Sequence, residues 1–170
     1  NIMEERMKHE IDRSKFMKDG IVELYSENKE TQKIKLEMLL NRGLESEKGF
    51  VSAYVLFKED KKEIAVYKDE KAFNMAEVIY KESNRKKSEV YISEFNLSTK
   101  IQYIGMAIKI NEESRLVAIY NFKYLIENFI ENGGSGNYIN YFILDQYGNI
   151  VFEYERERIG ENIFVINASN

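Results

Sequence analysis

Tyr103-Ile104-Gly105-Met106-Ala107-Ile108-Lys109-Ile110 is the stretch that decides the fold class. Tyr103, Gly105, Ala107 and Lys109 alternate with Ile104, Met106, Ile108 and Ile110, a period of two that belongs to a strand. Working outward, Glu89 to Phe95 and Leu116 to Asn121 read as further strands on either side in sequence. Upstream, Phe50 to Phe57 reads as a strand, Asp60-Lys61-Lys62 as a turn, and Glu63 to Tyr67 as the returning strand. A short helix follows, with Phe73, Ala76, Ile79 and Tyr80 on one side and Met75 at its edge. A second helix over Lys123 to Glu131 carries Leu125, Ile126, Phe129 and Ile130. Five strands with helices to one side predict an α+β domain built on an antiparallel sheet.

The residues before this sheet read as one long helix covering most of 5–42. Met3, Met7, Ile11, Met17, Ile21, Leu24 and Tyr25 follow helical spacing, Ile34, Met38 and Leu39 extend the stripe, and Arg42-Gly43 offers a stop. Gly20 and the polar run Ser26 to Gln32 leave room for a kink or a break. A helix of ~40 residues cannot bury all its turns against so small a domain, so self-association of the Met3-to-Leu24 stripe is expected. Gly133-Gly134-Ser135-Gly136-Asn137 is a flexible joint. No strand leads into it and no Lys-Ser or Lys-Thr follows, so a phosphate-cradling role is disfavoured. Beyond it, Tyr138 to Leu144 and Asn149 to Tyr154 form a hairpin around Asp145-Gln146-Tyr147-Gly148. The expected organisation is a helix over 1–48, a domain over 49–132 and a hairpin unit over 137–170.

Composition removes several functions. The net charge is -4 and the longest basic cluster is Arg85-Lys86-Lys87, which gives no purchase for nucleic acid. Without cysteine there is no disulfide, thiolate nucleophile or thiolate metal site. The single histidine, His9, sits among Glu4, Glu5, Lys8 and Glu10 on what reads as an exposed helical face, with no second histidine to share a metal or a proton relay. No catalytic set, metal site or cofactor is expected. No stretch approaches the ~20 apolar residues of a membrane span. That suits a soluble protein, and equally a segment lying between membrane spans.

Several segments carry a family resemblance. Tyr141-Phe142-Ile143-Leu144-Asp145-Gln146-Tyr147-Gly148-Asn149-Ile150-Val151, followed by Ile159-Gly160-Glu161-Asn162-Ile163-Phe164, resembles the aliphatic-Asp-x-x-Gly-x-Ile … Ile-Gly-x-Asn opening of a Cache domain, the extracytoplasmic relative of PAS. Val90-Tyr91-Ile92-Ser93 resembles the Val-Tyr-Ile-Ser strand of double-Cache sensors in histidine kinases, chemoreceptors and diguanylate cyclases. Tyr103 to Ile110 takes the place of that family's next strand, and Val117-Ala118-Ile119-Tyr120-Asn121-Phe122 resembles the strand that runs into its linking helix. The long first helix is similar to the family's membrane-emerging stalk. The resemblance implies a sensor on the extracytoplasmic side of the cell membrane, anchored by segments outside this chain. It further implies two-component or related signal transduction, and a parallel homodimer in the intact receptor. The C-terminal hairpin would then belong to a partial second Cache unit.

The same resemblance implies a small-molecule site on the sheet. Tyr91, Ser93, Tyr103, Lys109 and Asn121 are the expected ligand-binding residues, with Tyr54, Tyr67 and Tyr80 as further tyrosines that could face a pocket. Each tyrosine read singly also suits the core or the outer face of the sheet. Lys109, the one charge in Ile104 to Ile110, would suit an anionic ligand or an edge strand. Amino-acid-binding members carry a Trp-Tyr segment and an Asp on the last strand; this chain has no tryptophan and places Asn121 there. An amide cannot neutralise a buried ammonium, so a free amino acid is disfavoured as ligand. The alternative is a ligand-free dimerisation or transmission module.

Overall fold

The computed structural model describes residues 2–46, 51–93, 103–121, 142–145, 147–153, 158 and 160–168. The helix expected over 123–131 and the joint at 133–137 lie outside them. The chain forms two compact units: Asn1–Ser93 with Gly105–Tyr120, and Glu94–Ile104 with Asn121–Asn170.

The first unit begins with two helices, α1 (Ile2–Leu24) and α2 (Lys29–Ser46), where one long helix was expected. Polar side chains of the intervening run make the break. Asn28 accepts from the Glu30 N–H through Oδ1 (3.2 Å), Ser26 Oγ donates to the Glu23 carbonyl (2.6 Å), and Gln32 Nε2 donates to the Leu24 carbonyl (3.2 Å). These bonds replace the helical ladder and cap the new helix. The chain then folds back: Gly20 lies against Leu39, and Arg13 Nη2 donates to the Gly43 carbonyl at 2.8 Å. A rod ~60 Å long is therefore absent.

The predicted stripe is also divided. Met17 and Ile21 are buried within their own chain, while Ile34 (62% exposed) and Met38 point outward, and α2 buries Leu36, Leu40 and Leu44 instead. Met3 and Met7 have side chains outside the described residues.

Five antiparallel strands follow: β1 (Val51–Lys58), β2 (Lys61–Tyr67), β3 (Val90–Ile92), β4 (Tyr103–Lys109) and β5 (Ser114–Asn121), in the order β2-β1-β5-β4-β3. Helix α3 (Glu70–Lys86) lies between β2 and β3 in sequence. This is an α+β unit, consistent with a PAS-like fold. One face of the sheet rests on the N-terminal helices, with Gly43 against Met17 and Tyr54, and Ser14 Oγ 3.4 Å from Tyr120 Oη. The other face takes α3, whose Tyr80 stacks on Phe57 at 4.3 Å and whose Ile79 meets Gly105. Covered on both sides, β1 is buried from Val51 to Phe57, which is why it reads as a continuous apolar run rather than an alternation.

The β1–β2 turn sits one residue earlier than expected, at Glu59-Asp60, both with positive φ (50° and 60°). A two-residue hairpin of type I′ requires that conformation at both positions. Outside bonds hold it without glycine: Glu59 N–H donates to the Glu113 carbonyl (2.8 Å), and Tyr80 Oη donates to Asp60 Oδ1 (3.0 Å). Asp69 caps α3 by accepting from the Lys71 N–H, and Lys87 ends it in the left-handed conformation.

In the second unit, β6 (Phe142–Leu144) and β7 (Ile150–Glu153) pair antiparallel, and α4 (Ile163–Ala168) follows. Asp145 Oδ1 accepts from the N–H groups of Tyr147 and Asn149 (2.8 and 2.9 Å), and Asn162 Nδ2 donates to the Tyr147 carbonyl and to Asn149 Oδ1, both at 2.9 Å. The Asp-x-x-Gly-Asn and Gly-x-Asn segments thus clasp each other and fix the turn. Glu153 is buried against Arg158, which donates to it from Nε and from its backbone N–H.

Candidate functional site

The two-residue period places the expected binding residues on the α3 face. Gly105 faces Ile79 of α3, so Tyr103, Ala107 and Lys109 share that side of β4, and Tyr91 pairs with Ala107. Asn121 shares its side of β5 with Ile119, which also approaches Gly105. Tyr103, at the start of β4, is buried, and Asn121, at the end of β5, is half-buried.

A common face is not a common site. Six steps along the strand take Tyr103 to Lys109, about 20 Å, which one small molecule does not bridge. The chain reverses between Ile110 and Ser114, so Asn121 lies toward the Tyr103 end of the sheet and Lys109 at the other.

Lys109 is also compensated. Its Nζ is bonded to Glu112 and lies 3.6 Å from Glu89, and the Glu112 hydrogen bond holds the ammonium above its ordinary pKa. Two carboxylates thus face the ammonium, and Arg115 shares their field. Ser93 has a structural partner as well, its Oγ accepting the Gly105 N–H and its own N–H donating to the Gly105 carbonyl, both at 2.8 Å. The Tyr91 ring carries Lys86 Nζ at 5.1 Å.

Two grooves flank α3 elsewhere. The larger, of about 390 Å³, runs between α3 and the β1–β2 hairpin, with Val55, Phe57, Phe73, Ala76 and Tyr80 as its apolar lining and Asp60, Lys62, Asn74, Glu77 and Lys81 at its polar edge. The smaller, about 280 Å³, lies among Glu59, Asp60, Tyr80, Asn84 and Glu112 to Arg115. Arg115 forms its buried wall, donating to Asn84 Oδ1 and to the Ser88 carbonyl. None of the five expected residues lines either groove. Tyr80 lines both; it was read as a tyrosine that could face a pocket, and its helical spacing with Phe73 and Ala76 pointed to the same side of α3.

Tyr54, read as a further pocket residue, is wholly buried on the opposite face beside α1. There the structure also overturns an assignment: Glu10, read as part of the exposed face around His9, is 1% exposed, with Oε2 lacking any hydrogen-bond partner. His9 stays outward, its Nδ1 3.7 Å from Glu10 Oε1. Among the described residues no group of three or more His, Cys, Asp or Glu side chains could hold a metal ion, and no helix is long and apolar enough to cross a membrane. No protein-family model and no curated protein matches this chain.

Proposed function

We propose that this chain is the small-molecule sensing region of a bacterial transmembrane receptor, of the Cache kind, held on the extracytoplasmic side by segments beyond it. The observation that supports the reading is the strand order β2-β1-β5-β4-β3 with helices leading in and α3 over the opposite face. The unit would bind its ligand on the α3 face around Tyr91 and Ser93, and pass occupancy to an output domain through α1, whose Ser14 meets Tyr120 of the sheet. A parallel homodimer of the intact receptor belongs to the proposal. The C-terminal hairpin belongs to it as part of a second Cache unit.

A thermal-shift screen of small polar metabolites tests it. One compound class should raise the melting temperature, free amino acids should not, and Tyr91→Ala should abolish the response. A screen in which no compound acts favours the second reading, a ligand-free transmission module.

A further inference from the structure

The outer side of the α1–α2 hairpin carries a charge pattern. Ser14, Met17 and Ile21 are the buried side of α1, and Leu36, Leu40 and Leu44 that of α2. On the opposite side of α1, Asp12, Phe16, Asp19 and Glu23 follow one another at helical spacing, all exposed. On the opposite side of α2, Ile34, Lys35, Met38 and Arg42 do the same. One stripe is acidic and the other basic. Phe16, at 79%, is the most exposed of the large apolar side chains among the described residues, with Ile34 at 62% and Met38 at 50%. A single exposed apolar residue needs no explanation. Three on one two-helix face, set among charges of opposite sign, call for one.

We infer that a second copy of this chain covers this face, forming a four-helix bundle about a two-fold axis parallel to the helices. A two-fold axis can stack two such hairpins face to face in two ways. With the axis across the helices, α1 meets α1 and acid faces acid. With the axis along them, α1 of each copy meets α2 of the other, and each acidic stripe faces a basic one. Only the second is complementary. That axis keeps every residue at its own height, and heights are set within the chain by Gly20 beside Leu39 and Arg13 bonded to Gly43. Glu23 therefore comes level with Lys35 of the other copy, and Phe16 with Arg42, whose apolar stem can cover the ring. Lys15, beside the acidic stripe, and Glu45, beside the basic one, come level with each other as well. Lys35 already holds Glu27 within its own chain, so its new contact extends a network. Both copies point the same way. The bundle rests on the parallel homodimer proposed above and gives it a face, which is not the Met3-to-Leu24 stripe expected from the sequence.

Sedimentation equilibrium on the whole chain tests the bundle. The parent should dimerise reversibly at concentrations below about 1 mM. Asp19→Lys with Glu23→Lys turns the acidic stripe basic, and Lys35→Glu with Arg42→Glu turns the basic stripe acidic. All four positions are exposed, so both double variants should keep the parent's circular dichroism, while each dimerises at least about tenfold more weakly. Phe16→Ser should weaken the dimer by a similar factor. An equimolar mixture of the two double variants should recover the dimer, because every acidic helix then meets a basic one. A parent that stays monomeric at about 1 mM, a dimer indifferent to the double variants or to Phe16→Ser, or a mixture no tighter than its components would each overturn the assignment. A dimer that persists in every variant uses another face and leaves the homodimer reading standing. The readout involves no ligand, so failure of the metabolite screen leaves this face untouched.

Discussion

At Gly105 the sheet approaches α3 so closely that an added Cβ would lie 1.8 Å from Ile79 Cδ1 and 3.2 Å from Ile119 Cδ1. The Ile79 tip can rotate away, but Ile119 stands close on the strand alongside, so overpacking is only partly relieved. Gly105→Ala should lower stability by about 1–3 kcal/mol, read as a lower denaturant midpoint at unchanged slope. Adding Ile79→Val, which removes Cδ1, should recover part of the loss; a Gly105→Ala protein as stable as the parent would mean a looser contact. On the opposite face, burial pushes the Tyr54 hydroxyl up to about 12, and Tyr120 is likewise raised by burial. A raised folded-state pKa means that the neutral phenol stabilises the fold fully below the unfolded value near 10 and loses that contribution as pH climbs through 12. Tyr54 alone then accounts for about 3 kcal/mol. Stability should fall between pH 10 and 12, and Tyr54→Phe should flatten the fall; an unchanged profile in that variant would contradict the burial. Neither effect was legible beforehand. Glu10 read as outward-facing and Tyr54 as suiting a pocket, the core or the outer face alike, and only the packing of α1 against the sheet buries both.

Among the elements, the strands were legible because alternation and apolar runs fix them locally, and β1, β2, β4 and β5 start and end within about two residues of the sequence reading. The helix break was legible only as room for a kink or a break at the polar run Ser26 to Gln32, within one helix. A stripe through Met17, Ile21, Ile34 and Met38 looks continuous on paper. Yet the polar side chains of Ser26, Asn28 and Gln32 bond to backbone across the break, and the second half turns a different face, Leu36, Leu40 and Leu44, inward. Helical spacing reports a face only while the helix continues. In the hairpin, Gly20 and Leu39 are neighbours, whereas one straight helix would hold them about 28 Å apart. Cysteines at positions 20 and 39 should be joined within a single molecule by a short bis-maleimide, in a chain with no other cysteine to compete. Products formed only between molecules would restore the continuous helix.

For the whole molecule, the sequence carried the fold further than it carried the site. The five expected residues were chosen strand by strand, and the strands do share a face. How far apart they lie, which carboxylates reach Lys109, and where α3 leaves grooves all depend on register and helix placement, which no single segment encodes. The functional reading therefore rests on topology, and topology makes a claim about location that can be checked. Val78 is 63% exposed on α3, so Val78→Cys gives a surface thiol in a region without cysteine. In the full-length protein, in intact cells, a membrane-impermeant maleimide should label this variant above the parent, and to the same extent as after permeabilisation. Labelling that appears only once the membrane is opened would place the domain inside the cell and contradict the account of it as an extracytoplasmic sensor.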